Sequence, residues 1–454
     1  MKNRRILIAL EQLGVGGIET FVLNQVKALK RKNIDVYLLA KKGLYYDQFK
    51  KNGAKIIEYE IKDSIYFNKN NIKKMSKILI NNKIDEVHIN QFPFMTVLMP
   101  ACIMTNTPYI AYLHMASGII NDPVHNAYDY FERQFITYNK IFKMFFKNAS
   151  KIVAITEDIK NHTQKRYSID KNKIIVRPNA IDLKDYSTNK KVKRIKKVFL
   201  LSRISIEKKN VIINAIKLYQ KLKEYDNDIT LTIAGDGNLR QDIEEYISNQ
   251  KITDITMLGN ISNVKEVMEK YDLVIAVDRC ILEALCLNKL SVISGYSDIK
   301  GLVTNNNINS CIKENFCGNN QKTQTIDKVA NIIMNLSPKE IEEITKSNHK
   351  IIEDKLDINK NIFVLEDTKI NYNRDEYIED LLEISEIIGE SQIEYYNKAE
   401  EIWKTYKNYE LYINKRYGFY ESIYRFMGRI KGSIKRRVFK KKKPKKKKIS
   451  SNQI

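Results

Sequence analysis

The chain has 454 residues and carries 78 Lys plus Arg against 54 Asp plus Glu, a formal net charge of +24. With 43% hydrophobic and 29% charged residues it can bury sizeable cores, which excludes a globally disordered polymer, and its length suits two globular domains plus a tail. No apolar stretch approaches the roughly 20 residues that span a bilayer, and Met1–Leu10 holds too short an apolar run for a signal peptide, so a cytoplasmic protein is expected.

Short apolar runs alternate with amphipathic stretches over the first 190 residues, the pattern of a parallel sheet covered on both faces. The predicted strands are Arg5–Leu10, Asp35–Ala40, Lys55–Tyr59, Glu86–Asn90, Tyr109–Leu113, Lys151–Ile155 and Ile174–Val176, with a helix over Glu19–Lys30. After a polar, basic stretch at Ser187–Lys196 the alternation restarts. It runs through Lys197–Leu201, a helix over Asn210–Lys223, then Ile229–Gly235, Ile255–Gly259, Leu273–Val277, Leu290–Ser294 and Ser310–Lys313. Two doubly wound α/β domains are therefore expected, 1–186 and 193–371, with a cleft where the carboxyl ends of their strands meet. From about Asn373 long stretches rich in Glu, Lys and Tyr predict a helical extension over 372–424. A basic tail, 425–454, follows it.

Five cysteines with no C-x-x-C pair argue against a disulfide framework or structural zinc, and reduced thiols are expected. Three turns carry more chemistry. Gly14-Val15-Gly16-Gly17-Ile18-Glu19 joins the first strand to the first helix, where glycines let backbone approach a ligand and a helix N-terminus offers free N–H groups. It is not the dinucleotide fingerprint, because Glu19 stands at the third glycine position. Ser202-Arg203 to Glu207-Lys208 delivers two cations five residues apart after a strand, which suits a diphosphate but equally a solvated basic loop. Gly235-Asp236-Gly237 makes a further strand-to-helix turn, and Glu283 starts a helix whose dipole alone would favour an acid there. His114 ends the fifth predicted strand and faces the expected cleft; His88, at a similar strand end, reads as a structural residue. Asp226-Asn227-Asp228 precedes a strand and reads as turn chemistry rather than a metal site.

In order, Gly16-Gly17, His114, Pro178-Asn179-Ala180-Ile181-Asp182, Ser202-Arg203 to Glu207-Lys208, Gly235-Asp236-Gly237-Asn238-Leu239 and Leu282-Glu283-Ala284 resemble the pattern of glycosyltransferase family 4. The resemblance covers about Arg5 to Leu365. It implies a GT-B fold, an α/β pair of Rossmann-like domains facing a cleft, with the acceptor on the first and the nucleotide-sugar donor on the second. It also implies transfer of a sugar from a nucleoside diphosphate-sugar to an acceptor, with retention of configuration and with neither cofactor nor bound metal. By position, Arg203 and Lys208 would hold the donor diphosphate and offset charge on the leaving group. Gly16, Gly17 and Gly235 would line the donor site, Glu283 would accept from ribose hydroxyls, and His114 would reach the donor sugar.

The chain also departs from that pattern. The family usually carries two glutamates separated by seven residues, and here Ile275 stands where the first should be. A shorter family variant has Gly-Arg before L-E-A, which Asp278-Arg279 resembles with the glycine replaced; Asp278 is the candidate substitute for the missing acid. Ala180 and Ser202 replace two further family glycines. A rival expectation is therefore a catalytically inactive relative that binds or scaffolds.

The charge is concentrated at one end. Arg425–Lys448 holds fourteen Lys/Arg and no acid, so removing it leaves +10 for everything else. Phe426, Ile430, Ile434 and Val438 recur every four residues among these cations, a design for a segment lying in a membrane interface. The eight lysines of KKKKPKKKK would each add about 1 kcal/mol near anionic lipid. Residues 425–448 are thus expected to seat the protein peripherally on the inner face of the cell membrane, beside a cell-envelope polysaccharide or lipid-linked acceptor. Nucleic acid is the disfavoured partner, although the same run would suit phosphate backbones.

Overall fold

The structure is a computed structural model, and it describes residues 3–60, 69–91, 94–114, 136–186, 192–261 and 263–380. Strand β1 (Arg5–Gln12) is buried at five consecutive positions, Ile6 to Leu10, as only a strand covered on both faces can be. Around it stand β2 (Asp35–Lys41), β3 (Lys55–Glu58), β4 (Glu86–Ile89), β5 (Tyr109–Leu113), β6 (Lys151–Ala154) and β7 (Ile174–Val176). All pairs are parallel, in the order β3-β2-β1-β4-β5-β6-β7. The helix Gly17–Arg31 turns Phe21, Val22, Val26 and Leu29 inward, and together with β1 and β2 they make one of the two cores on this sheet.

The second sheet repeats the plan with β8 (Lys197–Leu201), β9 (Thr230–Ala234), β10 (Ile255–Gly259), β11 (Leu273–Ala276), β12 (Leu290–Ser294) and β13 (Ile299–Leu302), in the order β10-β9-β8-β11-β12-β13. Its last strand differs from expectation. Ser310–Lys313 is part of a helix, Ile308–Lys313, which buries Ile308, Cys311 and Ile312 at helical spacing. The edge of the sheet is instead Ile299–Leu302, antiparallel to β12.

The chain crosses between the two units twice, side by side. On the outward pass Ala180 and Ile181 are fully buried, and on the return Ile181 bonds Leu356 O and Ile358 N at 2.9 and 3.0 Å. The helix Pro338–Leu356 that brings the chain back starts with a capping box, Ser337 and Glu340, and Pro338 in its first turn. Ile358, Ile362 and Leu365 then enter the core of the first sheet, and Tyr372 and Tyr377 its other core. The expected second domain, 193–371, thus ends with residues that pack on the first. Glu86, fully buried, fixes this return by accepting from Arg4, from the Leu365 backbone N–H and from His88, whose Nε2 lies at 2.7 Å. His88 is fully buried in that cluster. Of the expected extension 372–424 only 372–380 is described, and the basic tail 425–454 lies wholly outside the described residues.

Candidate functional site

The carboxyl ends of β1, β5, β8, β9 and β11 bring the sequence-derived residues into one cleft. From the first domain come the glycine loop and His114. Gly16 caps the first helix with extended backbone, and a Cβ built on it would lie 2.3 Å from the Glu19 carboxylate and 4.0 Å from Arg203 Nη2. The glycine loop and the Arg203 guanidinium therefore meet across the cleft, with Glu19 between them. Burial raises the Glu19 pKa, while a backbone N–H and Arg203 oppose the rise. Gly17 has open space over its Cα.

His114 follows β5, with Nε2 2.9 Å from Asn90 Oδ1 and its ring against Phe21 and Tyr112. Burial first, and the charge of Arg279 second, lower its pKa to about 4. The imidazole is therefore neutral near pH 7. It can exchange hydrogen bonds with a sugar, but it holds no proton to give as an acid.

Arg203 is exposed in a loop after β8 whose other residues, Ser202, Ile204 and Ser205, are buried, and the next turn supports that loop from below. Ser202 N donates to Ala234 O and Ile204 N to Asp236 O, at 3.1 and 3.0 Å. Such close approach demands glycine. A Cβ on Gly235, whose φ is +123°, would stand 1.9 Å from Ser202 O, and one on Gly237 2.1 Å from Ile204 O. Gly235 is thus placed beneath the Arg203 loop.

Lys208 ends a 3₁₀ turn, Ile206–Lys208, and its Nζ lies 3.0 Å from Asp278 Oδ2 and 5.7 Å from the centre of the Tyr296 ring. Burial alone would lower its pKa, but the charge of Asp278 and its hydrogen bond raise it above the ordinary value, so Lys208 is a firm cation. Asp278 Oδ2 also accepts from Tyr296 OH at 2.6 Å. Asp278 has φ 59° and ψ −138°, backbone that glycine adopts freely and other residues rarely do.

Glu283 lies one helical turn further on, in the helix Arg279–Cys286, and is 7% exposed. Its Oε1 is engaged by Arg279 Nε at 3.2 Å, while Arg279 Nη1 reaches the Ala180 carbonyl at 3.3 Å. Burial raises the Glu283 pKa, against the pull of Arg279. The position expected of a first glutamate, Ile275, is fully buried inside β11. Burial pushes the thiols of Cys280 and Cys317 up to about 12, so neither offers a thiolate nucleophile near neutral pH.

Three residues that sequence reasoning did not assign to the site belong to it: Arg279, Tyr296 and Glu19. A spacing of four before Glu283 on a helix could have singled out Arg279. Tyr296, just past the carboxyl end of β12, belongs to no motif that the sequence offered. Asp226 and Asp228 turn to Lys196, at 2.7 and 2.9 Å, away from the cleft. Among the described residues no group of three His, Cys, Asp or Glu is placed to hold a metal ion, and no helix is long and apolar enough to cross a membrane.

Comparison with known proteins agrees with this arrangement. Residues 15–185 match the family described as Glycosyltransferase Family 4, and residues 184–350 match Glycosyl transferases group 1. No curated protein matches the chain in sequence. Among solved structures, HepE of Anabaena in complex with UDP and glucose is 16% identical, with a TM-score of 0.58 over 83% of this chain and 100% of that one. A glycosyltransferase of Rickettsia africae is 16% identical, with a TM-score of 0.54 over 84% and 99%. A variant of TarM from S. aureus, solved with fondaparinux, α-GlcNAc-glycerol and UDP, is 13% identical, with a TM-score of 0.52 over 84% and 99%. At such identities the likeness is one of fold, and it is the two adjoining family matches, laid over two doubly wound sheets and their shared cleft, that place the chain among the glycosyltransferases of the family 4 type with the GT-B fold.

Proposed function

We propose that the protein transfers a sugar from a nucleoside diphosphate-sugar to a glycan or lipid-linked acceptor, with retention of configuration and without a bound metal. The meeting of Arg203 with the glycine loop carries this reading. As the bond from the sugar to the diphosphate breaks, negative charge builds on the leaving phosphate. Arg203 and Lys208, in the loop and 3₁₀ turn after β8, are preset to offset it, and Lys208, the more buried of the two, gains most from the exclusion of water. The neutral His114 imidazole serves the sugar as a hydrogen-bond partner. Glu283 completes the donor side by accepting from ribose hydroxyls, and Asp278 stands beside Lys208.

The acceptor belongs to a cell-envelope polysaccharide or glycolipid, and residues 425–448 hold the enzyme on the inner membrane face. The fourteen cations and apolar stripe of that segment support the membrane reading, and the likeness in fold to WaaG, a glycosyltransferase involved in lipopolysaccharide biosynthesis, supports an envelope acceptor. The test is release of free nucleoside diphosphate from a panel of sugar donors. Arg203→Ala and Lys208→Ala should each lower that release by about 10²–10³ without loss of folding. Near-normal rates in both would sink the diphosphate role.

A second reading, a sugar-nucleotide-binding scaffold without turnover, draws on Ile275, which puts a buried aliphatic chain where a first acid would stand. Acceptor-dependent release of diphosphate rules it out.

A further inference from the structure

We propose that Asp278 competes with the donor's phosphates for Lys208, so that this pair sets how tightly the site holds a nucleoside diphosphate. The inference rests on the donor reading above and goes beyond it: Asp278 acts as a built-in rival anion rather than as a group that grips the sugar.

Two observations converge on it. One is the backbone. With φ 59° and ψ −138°, Asp278 holds a conformation that costs any side-chain-bearing residue and that glycine would adopt freely. Asp278 N is tied to Phe316 O at 3.1 Å and its carbonyl accepts from Ile281 N at 3.0 Å, so the conformation is fixed by the start of the helix. The other is what the side chain does there. Its Oδ2 collects Lys208 Nζ at 3.0 Å and Tyr296 OH at 2.6 Å, and the Tyr296 ring lies beside the same ammonium. The strain thus delivers a carboxylate to the cation expected to meet a phosphate.

Lys208 keeps 19% of its side chain exposed, and an ammonium has three protons, of which Asp278 takes one. A phosphate can therefore reach Lys208 only by coming within a few ångströms of the Asp278 carboxylate. Like charges so placed repel, and the ligand must either displace Asp278 or bind against it. Tyr296 gives the displaced carboxylate a partner to fall back on. The outcome is a site that keeps Lys208 oriented yet releases its diphosphate product readily.

The test uses the full chain and isothermal titration with UDP, GDP and inorganic pyrophosphate. Asp278→Asn removes the charge, and Asp278→Gly removes the side chain at a backbone that suits glycine; a cooperative melt in the latter confirms that its fold is intact. Both variants should bind UDP or GDP, and pyrophosphate, roughly ten-fold more tightly than the parent chain. In a Lys208→Ala background the gain from Asp278→Asn should largely vanish, since the two changes act on one contact. Unchanged or weaker binding in Asp278→Asn and Asp278→Gly, beside measurable binding by the parent, overturns the competition and leaves the donor reading standing. If no diphosphate binds any of these proteins, the donor reading falls and takes this inference with it.

Discussion

Arg279 and Glu283, one turn apart on the helix that follows β11, share a 3.2 Å hydrogen bond with both side chains less than a tenth exposed. The same guanidinium holds the Ala180 carbonyl in the link between the domains, so one side chain ties Glu283 to the crossing. Its Nη2 is buried without a partner, so the site's own groups do not satisfy all of its charge. Removing one member of a buried pair leaves the other charge uncompensated, which costs about 3–5 kcal/mol. Arg279→Ala should therefore lower unfolding stability by that order in urea melts. Arg279→Met with Glu283→Leu should recover most of the loss, because no lone charge is left. A single change as severe as expected and a double change no milder would show that the link contact, rather than the ion pair, dominates.

The Arg203 loop rests on the glycine turn beneath it. Gly235→Ala would drive a Cβ to 1.9 Å from Ser202 O, on a residue with φ +123°, and neither the carbonyl nor the backbone can yield cheaply. The variant should lose about 1–3 kcal/mol of stability and bind UDP more weakly, since Arg203 moves with Ser202. Gly14→Ala serves as the control for stability: nothing lies within 4 Å of its Cβ, so its melting curve should stay close to that of the parent. Equal effects in the two would show that the turn does not support the loop.

How much of this was legible beforehand depended on the range of the interaction. The buried strands announce themselves because runs such as Ile6–Leu10 must be apolar on both faces. Ile299–Leu302 carries Lys300 and Gly301 and so no apolar signal, while Cys311 and Ile312 form a short apolar pair that a helix and a strand use equally well. In the site, Arg203 and His114 could be found because each sits just past a strand, where the doubly wound plan puts ligands, and Lys208 because it follows Arg203 in the same connection. Glu19 against Arg203 and Tyr296 on Asp278 are contacts between separate segments, and no local pattern encodes them. The sequence suggests a helix starting at Leu282 with Glu283 as its first-turn acid, but the helix begins at Arg279 and no acid stands in its first turn. Glu283 is therefore held by Arg279 one turn earlier rather than by the helix dipole.

His114 makes a prediction in pH. Burial among Phe21, Tyr112 and Asn90 holds its pKa down at about 4, against an ordinary 6.5, so the folded protein resists protonating it. Between those values the unfolded chain binds the proton and the folded one does not. This contribution to stability is therefore complete above about 6.5 and is lost as the pH falls towards 4. Imidazole resonances assigned through His114→Gln should titrate with a midpoint near 4, and donor turnover should show no acid limb of its own near 6.5. A midpoint near 6.5 would mean that the ring is solvated and the neutral role in sugar binding is misassigned.

The tail makes the last prediction, and salt is the variable that decides it. Fourteen cations within Arg425–Lys448 would bind an anionic surface through terms that weaken as the Debye length shrinks, from about 10 Å at 0.1 M salt to about 3 Å at 1 M. The apolar stripe Phe426, Ile430, Ile434 and Val438 contributes a part that salt does not screen. Pelleting with vesicles that contain phosphatidylserine should therefore fall steeply but not completely between those salt concentrations, and neutral vesicles should retain only the small salt-resistant fraction. Deleting 425–454 should abolish it, and replacing the four stripe residues by serine should remove only the salt-resistant fraction. Pelleting that survives the deletion would place the membrane contact elsewhere on the protein. A stripe variant that binds like the parent at high salt would leave the lysines as a purely electrostatic tether, and binding of duplex DNA in gel shifts with equal affinity would then make nucleic acid the better partner.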